Sequence, residues 1–325
     1  MDRRFGAIIR FVNMRRATFF FLAAFIACSS QQTTAPATAE PFILVLGTAQ
    51  DAGFPQAGCR QAECVRARTN PSLQRFVASI AIVDPRSGER WIIDATPDFP
   101  QQLALLDRLA PARSNRDVTA IFLTHAHIGH YTGLVHFGRE VMGSKRVPVF
   151  VMPRMDHFLR NNGPWQQLVE LENISLQPLA DGQPVRLNER LAITPILVPH
   201  RDEYSETVGF VVTGPSRSVL YLPDIDKWER WTSIDAILST VDDALLDGTF
   251  YADGELPGRS MSEIPHPFIV ESLQRFAQKT AFTRAKIHFI HLNHSNPALD
   301  PASEARRNIE RAGHRVAEQG ARVPL

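Results

Sequence analysis

An α/β domain built in layers, with its functional side chains gathered at strand ends, is the fold class this sequence predicts. Three observations lead there. Short apolar, β-branched runs bounded by turn residues recur from Phe42 onward, as buried strands do. Helically spaced stretches such as Pro100 to Ala110 and Pro301 to Ala312 lie between them, which places helices outside the sheets. Four runs end at residues of metal-ligand type: the string His125-Ala126-His127-Ile128-Gly129-His130, then His200, Asp224 and His291. In open α/β folds, sites form beyond the strand ends.

The chain starts with a segment that does not read as folded protein. Arg15 and Arg16 precede the apolar run Ala17 to Ala27, which ends at Cys28 and is followed by Ser29 and Ser30. Positive charge, a short apolar core and small residues at a cut site are the layout of an export signal. At about 11 residues, the apolar run is too short for a stable membrane span. Phe25-Ile26-Ala27-Cys28 resembles a bacterial lipoprotein cleavage box. Residues 1–28 are therefore expected to be a signal peptide, with Met14 an alternative start. Cys28 is the expected lipidation site, and the protein is expected to be exported, either periplasmic or anchored to a membrane by its lipid. Residues 29–40 are rich in Ser, Thr, Gln, Ala and Pro and read as a flexible tether. Residues 41–325 form the expected domain, a size that suits one large α/β unit.

Within that domain Phe42 to Leu46 reads as the first strand, running into the Gly47-to-Gly58 loop. Ser79 to Val83 and Trp91 to Asp94 flank Pro85-Arg86-Ser87-Gly88 as a hairpin. Helical spacing follows in Pro100 to Ala110, then a strand in Val118 to Leu123 and a helix in Tyr131 to Met142. Val147 to Met152 is strand-like and Pro164 to Leu171 moderately helical. The second half repeats the pattern. Leu191 to Val198, Val208 to Val212 and Ser218 to Leu222 read as strands, and Ala236 to Leu238 and Ala244 to Leu246 as shorter β runs. A helix in Pro267 to Gln278, a strand in Ile287 to Ile290 and a helix in Pro301 to Ala312 complete the series.

Composition narrows the partners. With 35 Lys and Arg against 34 Asp and Glu, the net charge is +1. No basic tract interleaved with aromatics suggests nucleic acid, so a small-molecule substrate and a lipid surface are the expected partners. Beside Cys28 only Cys59 and Cys64 remain, too few for a disulfide-built scaffold.

The triple histidine carries the chemistry. Neutral imidazole is a ligand for zinc and iron. His125 and His127, two apart in extended chain, point to the same side and can hold one ion. His130 turns back from the next element, where Gly133 permits close backbone approach. Asp94 is expected to hydrogen-bond the metal-binding loop, since carboxylates in that role orient imidazoles. Asp226 and Asp247 read as loop caps, and Asp51 as a turn residue before Ala52-Gly53, with a carboxylate near the metals as its alternative. His266, between Pro265 and Pro267, sits on a loop able to reach the site. Asp224 and His266 are the candidate catalytic residues.

Thr124 to His130, followed in order by His200, Asp224 and His291, resembles the metallo-β-lactamase superfamily, whose signature is Thr-His-x-His-x-Asp-His and then a His, an Asp and a final His. That resemblance implies an αββα four-layer sandwich. It also implies a first metal on His125, His127 and His200, Asp224 bridging two metals, and His130 and His291 at the second. Gly129 stands where the signature has an aspartate. One tightly held zinc and a second weak or absent ion are therefore expected, with iron or manganese as alternative metals.

Within the superfamily, Gly47 to Gln56 is similar to the pyrroloquinoline-quinone biosynthesis protein B family. So are Asp247-Gly248-Thr249-Phe250 with Asp253 and Glu255, and Ile290-His291-Leu292-Asn293 with Ser295-Asn296-Pro297. A phosphodiesterase branch is a second relative. It carries a Cys-x-Cys-x-x-Cys loop and a later His around a structural zinc. Cys59, Cys64 and His294 match three of those four ligands, with Gln61 at the middle Cys position. A zinc site at these residues, a Cys59–Cys64 disulfide and free thiols all stay open. The expected function is an exported metal-dependent hydrolase of an ester, lactone or phosphodiester. The alternatives are a protein of pyrroloquinoline-quinone synthesis or transport with a metal-dependent oxidation, and a metal-binding lipoprotein without catalysis.

Overall fold

The computed structural model describes residues 39–113, 116–256 and 258–325. The expected signal, Cys28 and residues 29–38 of the expected tether lie outside the described residues.

Two mixed seven-stranded sheets form the centre. The first is ordered β14-β1-β2-β3-β4-β5-β6. It contains β1 (Phe42–Gly47), β2 (Ser79–Asp84), β3 (Glu89–Ile93), β4 (Ala120–Phe122), β5 (Val147–Val151), β6 (Ile174–Pro178) and β14 (Arg322–Pro324). The second is ordered β13-β12-β11-β10-β9-β8-β7. It contains β7 (Val185–Arg186), β8 (Ala192–Leu197), β9 (Val208–Thr213), β10 (Ser218–Leu222), β11 (Asp243–Asp247), β12 (Ile287–Ile290) and β13 (Arg315–Val316).

The four-layer arrangement follows from which side chains alternate to which face. Ile43, Ile80, Ile82, Ile93 and Phe122 of the first sheet pack against Phe210, Val212, Val219, Tyr221 and Leu245 of the second. The alternate residues, Leu44, Leu46, Ile92 and Ile121, turn outward onto a helix layer with Phe99, Leu105 and Leu106. Leu220, Leu222, Ala244, Leu246 and Phe289 do the same for helices carrying Ile234, Phe276 and Ile309. Strands covered on both faces need continuous apolar runs rather than alternation, which is why they stood out in the sequence.

Two local expectations change. Ala236 to Leu238 lies inside a helix, Ile234–Thr240; Ile234 and Leu238, four apart, are its buried face. The expected helix Tyr131 to Met142 is a single turn, Ile128–Tyr131, followed by a 3-10 segment, Thr132–Phe137. There Gly133 donates its N–H to Ala95 O (2.9 Å), and a Cβ at that position would overlap Thr96 O. That close approach sets the local path. Helices Ala62–Thr69 and Pro153–Asn161 and strand β6 went unread.

Cys59 and Cys64 form a disulfide, their Cα atoms 6.1 Å apart and within bridging range. The structural zinc on Cys59, Cys64 and His294 is thereby corrected. Both sulfurs are spent on each other, and a metal takes thiolates.

His314 offers a stability test. It is 2% exposed, packed near the Phe276 and Phe289 rings, and neither ring nitrogen has a hydrogen-bond partner. Burial, then the Arg284 charge, pushes its pKa down to about 4. The unfolded chain binds this proton first, so the contribution is intact above about pH 6.5 and is lost as pH falls toward 4. His314→Phe is expected to remove about 2 kcal/mol of the acid destabilisation at pH 5, read by urea unfolding at pH 7 and pH 5. An unchanged pH dependence would exclude His314 as its source.

Candidate metal centre

The loops that follow β1, β3, β4, β8, β10 and β12 meet at one end of the sandwich and carry Asp51, Asp94, His125, His200, Asp224 and His291, beside Asp247 at the end of β11. Beyond β4 the chain bends at Ala126 and His127 (φ −93°, ψ 148° at His127), and His125 Nε2 lies 2.8 Å from His127 Nδ1, so the two rings face the same point. The turn Ile128–Tyr131 then brings His130 back, its N–H bonded to His127 O at 2.9 Å. The β1 loop is tied across to the β12 loop by Leu292 N to Thr48 O (2.8 Å) and Gln50 N to Leu292 O (2.9 Å). That pairing places Asp51 beside His291.

Among the described residues three groups of donor atoms result, two of four donors and one of three (Asp224, Asp247 and His266), and Asp224 belongs to all of them. His125, His127, His200 and Asp224 offer atoms within 4.8 Å of one another, as do Asp51, His130, Asp224 and His291. Asp224 Oδ2 lies 3.4 Å from His125 Nε2, 3.1 Å from His130 Nε2 and 3.4 Å from His291 Nε2, while Oδ1 lies 3.5 Å from His200 Nε2. The second group brings Asp51 to His130, Asp224 and His291 as a fourth candidate donor, which changes the reading of Asp51. That residue does sit in a turn, closed by Gly53 N to Gln50 O at 2.8 Å, yet its carboxylate reaches the histidines.

The donor set fits metal ions. Asp51 Oδ1, His130 Nε2, His200 Nε2, Asp224 Oδ1 and His291 Nε2 are buried without a hydrogen-bond partner. Orphaned polar atoms are costly to bury, and these converge on the same two points. Burial works against charge on Asp51 and Asp224, but the imidazoles around them outweigh it and hold both carboxyls well below their usual range. Burial, then the neighbouring His130, pushes His125 down, which keeps it neutral as a ligand must be.

Each imidazole is oriented from its far side. His130 Nδ1 donates to Asp94 Oδ2 (2.7 Å) and His200 Nδ1 to Asp226 Oδ1 (3.3 Å). His125 Nδ1 meets Thr124 Oγ1 at 3.0 Å, and that hydroxyl donates to Asp94. His291 Nδ1 meets Thr249 Oγ1 at 3.0 Å, and that hydroxyl donates to Asp247 Oδ1 at 2.7 Å. Asp94 thus holds the loop as expected. Asp226 and Asp247, read as caps, also steady ligands. His127 is the exception, with Nδ1 turned inward and Nε2 reaching Glu203 Oε2 at 3.0 Å on the exposed side. Glu203→Ala is expected to weaken the metal on His125, His127 and His200 by about 10-fold, measured by zinc competition with a chelator. Unchanged affinity would show that this exposed contact orients nothing.

His266 is drawn into the same cluster, Nδ1 lying 2.8 Å from Asp247 Oδ2 and 3.3 Å from Asp224 Oδ1. Burial disfavours its proton, but Asp247 first and Asp224 next outweigh this and its pKa is pushed up to about 9. Glu203, Ser205 (whose Oγ accepts from Ala126 N at 2.8 Å) and Asp226 were missed as supports; nothing in their local sequence marks them.

Residues 89–291 match the family described as beta-lactamase superfamily domain. The coenzyme PQQ synthesis protein B of Xanthomonas euvesicatoria pv. vesicatoria is 30% identical over 309 residues, covering 87% of this chain and 99% of that protein. The chain belongs to the coenzyme PQQ synthesis protein B family, within the beta-lactamase superfamily. Its Pseudomonas aeruginosa relative of the same name is 29% identical over 323 residues, covering 87% of this chain and 99% of its own length. Among solved structures, the Zn(2+)-bound PqqB of Methylobacterium extorquens superposes with a TM-score of 0.75 at 22% identity. It covers 87% of this chain and 100% of its own. A diphosphatase of the PhnP family follows at TM-score 0.62 and 22% identity, covering 88% and 98%. Both share this fold.

Proposed function

We propose that this chain performs a metal-dependent step in the synthesis of the coenzyme PQQ, with zinc as its metal. One observation carries the reading: a chain matching the PQQ synthesis proteins over 99% of their length also gathers two four-donor groups around a shared Asp224. When bound, the metal supplies Lewis acidity toward an oxygen of water or substrate. The protein's own residues do the rest. Asp94, Asp226, Glu203 and Thr249 hold the imidazoles in the tautomer that leaves the inward nitrogen free. His266, held between Asp247 and Asp224, carries a proton at the edge of the donor cluster. His127, flanked by the exposed Ile128 and Glu203, marks the side open to substrate.

The test is complementation. In a bacterium whose own PQQ synthesis protein B is deleted, this chain is expected to restore PQQ in the medium and its His127→Ala variant is not. No PQQ from a well-expressed wild-type chain would contradict the reading.

A second reading, hydrolysis of a phosphodiester, lactone or other ester, is favoured by the two donor groups sharing one carboxylate, since paired metals clamp both oxygens of a displacement. Turnover of bis(p-nitrophenyl) phosphate or a lactone panel by the zinc-loaded chain, abolished in His127→Ala, would favour it over the first. We further propose that the protein is exported and held to a membrane through a lipid on Cys28. Labelled palmitate should then be incorporated by the wild type and not by Cys28→Ser.

A further inference from the structure

We propose that Asp51 is the fourth ligand of a second metal ion, delivered by the β1 loop into space that position 129 leaves open. This stands apart from which reaction the protein performs. The geometry of the second donor group is the first ground. His130 Nε2 lies 3.2 Å from Asp51 Oδ1 and 3.1 Å from Asp224 Oδ2, and His291 Nε2 lies 3.6 Å and 3.4 Å from the same oxygens. Bonds of about 2.0–2.1 Å to nitrogen and oxygen set tetrahedral donors about 3.3–3.4 Å apart. The four observed separations bracket that value.

The second ground is that the atoms facing one another have nothing else to do. His130 and His291 are 0% exposed, and His130 Nε2, His291 Nε2 and Asp51 Oδ1 are all buried without a hydrogen-bond partner. The outer nitrogens of the two rings are already engaged by Asp94 and Thr249, so the inner ones are aimed.

The third ground is steric. A Cβ at Gly129 would lie 2.6 Å from Asp51 Cα and 2.9 Å from its Cγ, and would overlap Oδ1. Gly129 carries no carboxylate, and no side chain at all fits there while Asp51 occupies its place. A glycine at 129 and an aspartate at 51 are therefore one feature, split between the turn after β4 and the β1 loop.

The test uses the purified chain, stripped of metal and titrated with zinc alone against a chromophoric chelator, with native mass spectrometry counting ions. The wild type is expected to bind two. Asp51→Asn, which keeps the shape, and Gly129→Ala, which displaces the Asp51 loop, should each weaken one ion by about 100-fold or more and leave the other at wild-type affinity. Circular dichroism melts establish that each variant is folded, and Asp51→Asn carries the test if Gly129→Ala is not. Two ions at wild-type affinity in Asp51→Asn would overturn the assignment, as would equal weakening of both.

Discussion

Replacing Asp224 with alanine is expected to cost the protein tight metal binding at both donor groups at once. Its oxygens lie within 3.5 Å of four inward-facing nitrogens, on His125, His130, His200 and His291, and it is 2% exposed. Removing one partner of a buried, mutually compensating charge cluster costs about 3–5 kcal/mol, which is about two to three and a half orders of magnitude in affinity. Asp224→Asn keeps one carbonyl oxygen and should fall between. Zinc competition against a chelator at pH 7 reads both. Loss of a single ion in Asp224→Ala would mean that the carboxylate serves one group and not two.

Asp94→Ala is expected to have the second-largest effect, and to act through folding as well as binding. The Asp94 carboxylate is fully buried and accepts from Thr124 N (2.9 Å), Thr124 Oγ1 (3.0 Å) and His130 Nδ1 (2.7 Å). Truncation leaves three buried donors without an acceptor, each costing about 1–3 kcal/mol. A melting temperature lower by about 10 °C follows for a domain of this size, together with weakened binding of the ion on His130. The residue also sits at φ 69°, a conformation that costs energy outside glycine and that clusters at functional sites. Asp94→Asn, still able to accept from Thr124, should recover part of the stability but not the orientation of His130. Equal melting temperatures for wild type and Asp94→Ala would contradict the role given to this carboxylate.

Much of the fold was legible because the two sheets are covered on both faces, so buried strands such as β1, β2 and β10 read as unbroken apolar runs. The strand-end histidines were legible for the same reason, each marking where such a run stops. Ala236 to Leu238 misled because a three-residue apolar run has no period of its own; only Ile234 and Leu238, four apart, reveal the helical face. Asp51 was visible as a residue but not as a ligand, because its partners come from distant sequence: backbone pairing with the β12 loop brings His291 to it, and the turn after β4 brings His130. Glu203 and Asp226 were illegible on the same grounds, lying 76 and 26 residues from the imidazoles they steady. Gly129 was the one local clue. Read as a missing carboxylate it suggested a weakened site, and read with the structure it marks where another loop's carboxylate enters.

The most direct test of the account is the number of zinc ions bound by the metal-stripped wild-type chain, counted by native mass spectrometry across a titration at pH 7. Two ions per chain, both retained against a chelator that strips Asp224→Ala, is the predicted result. One ion or none would contradict it.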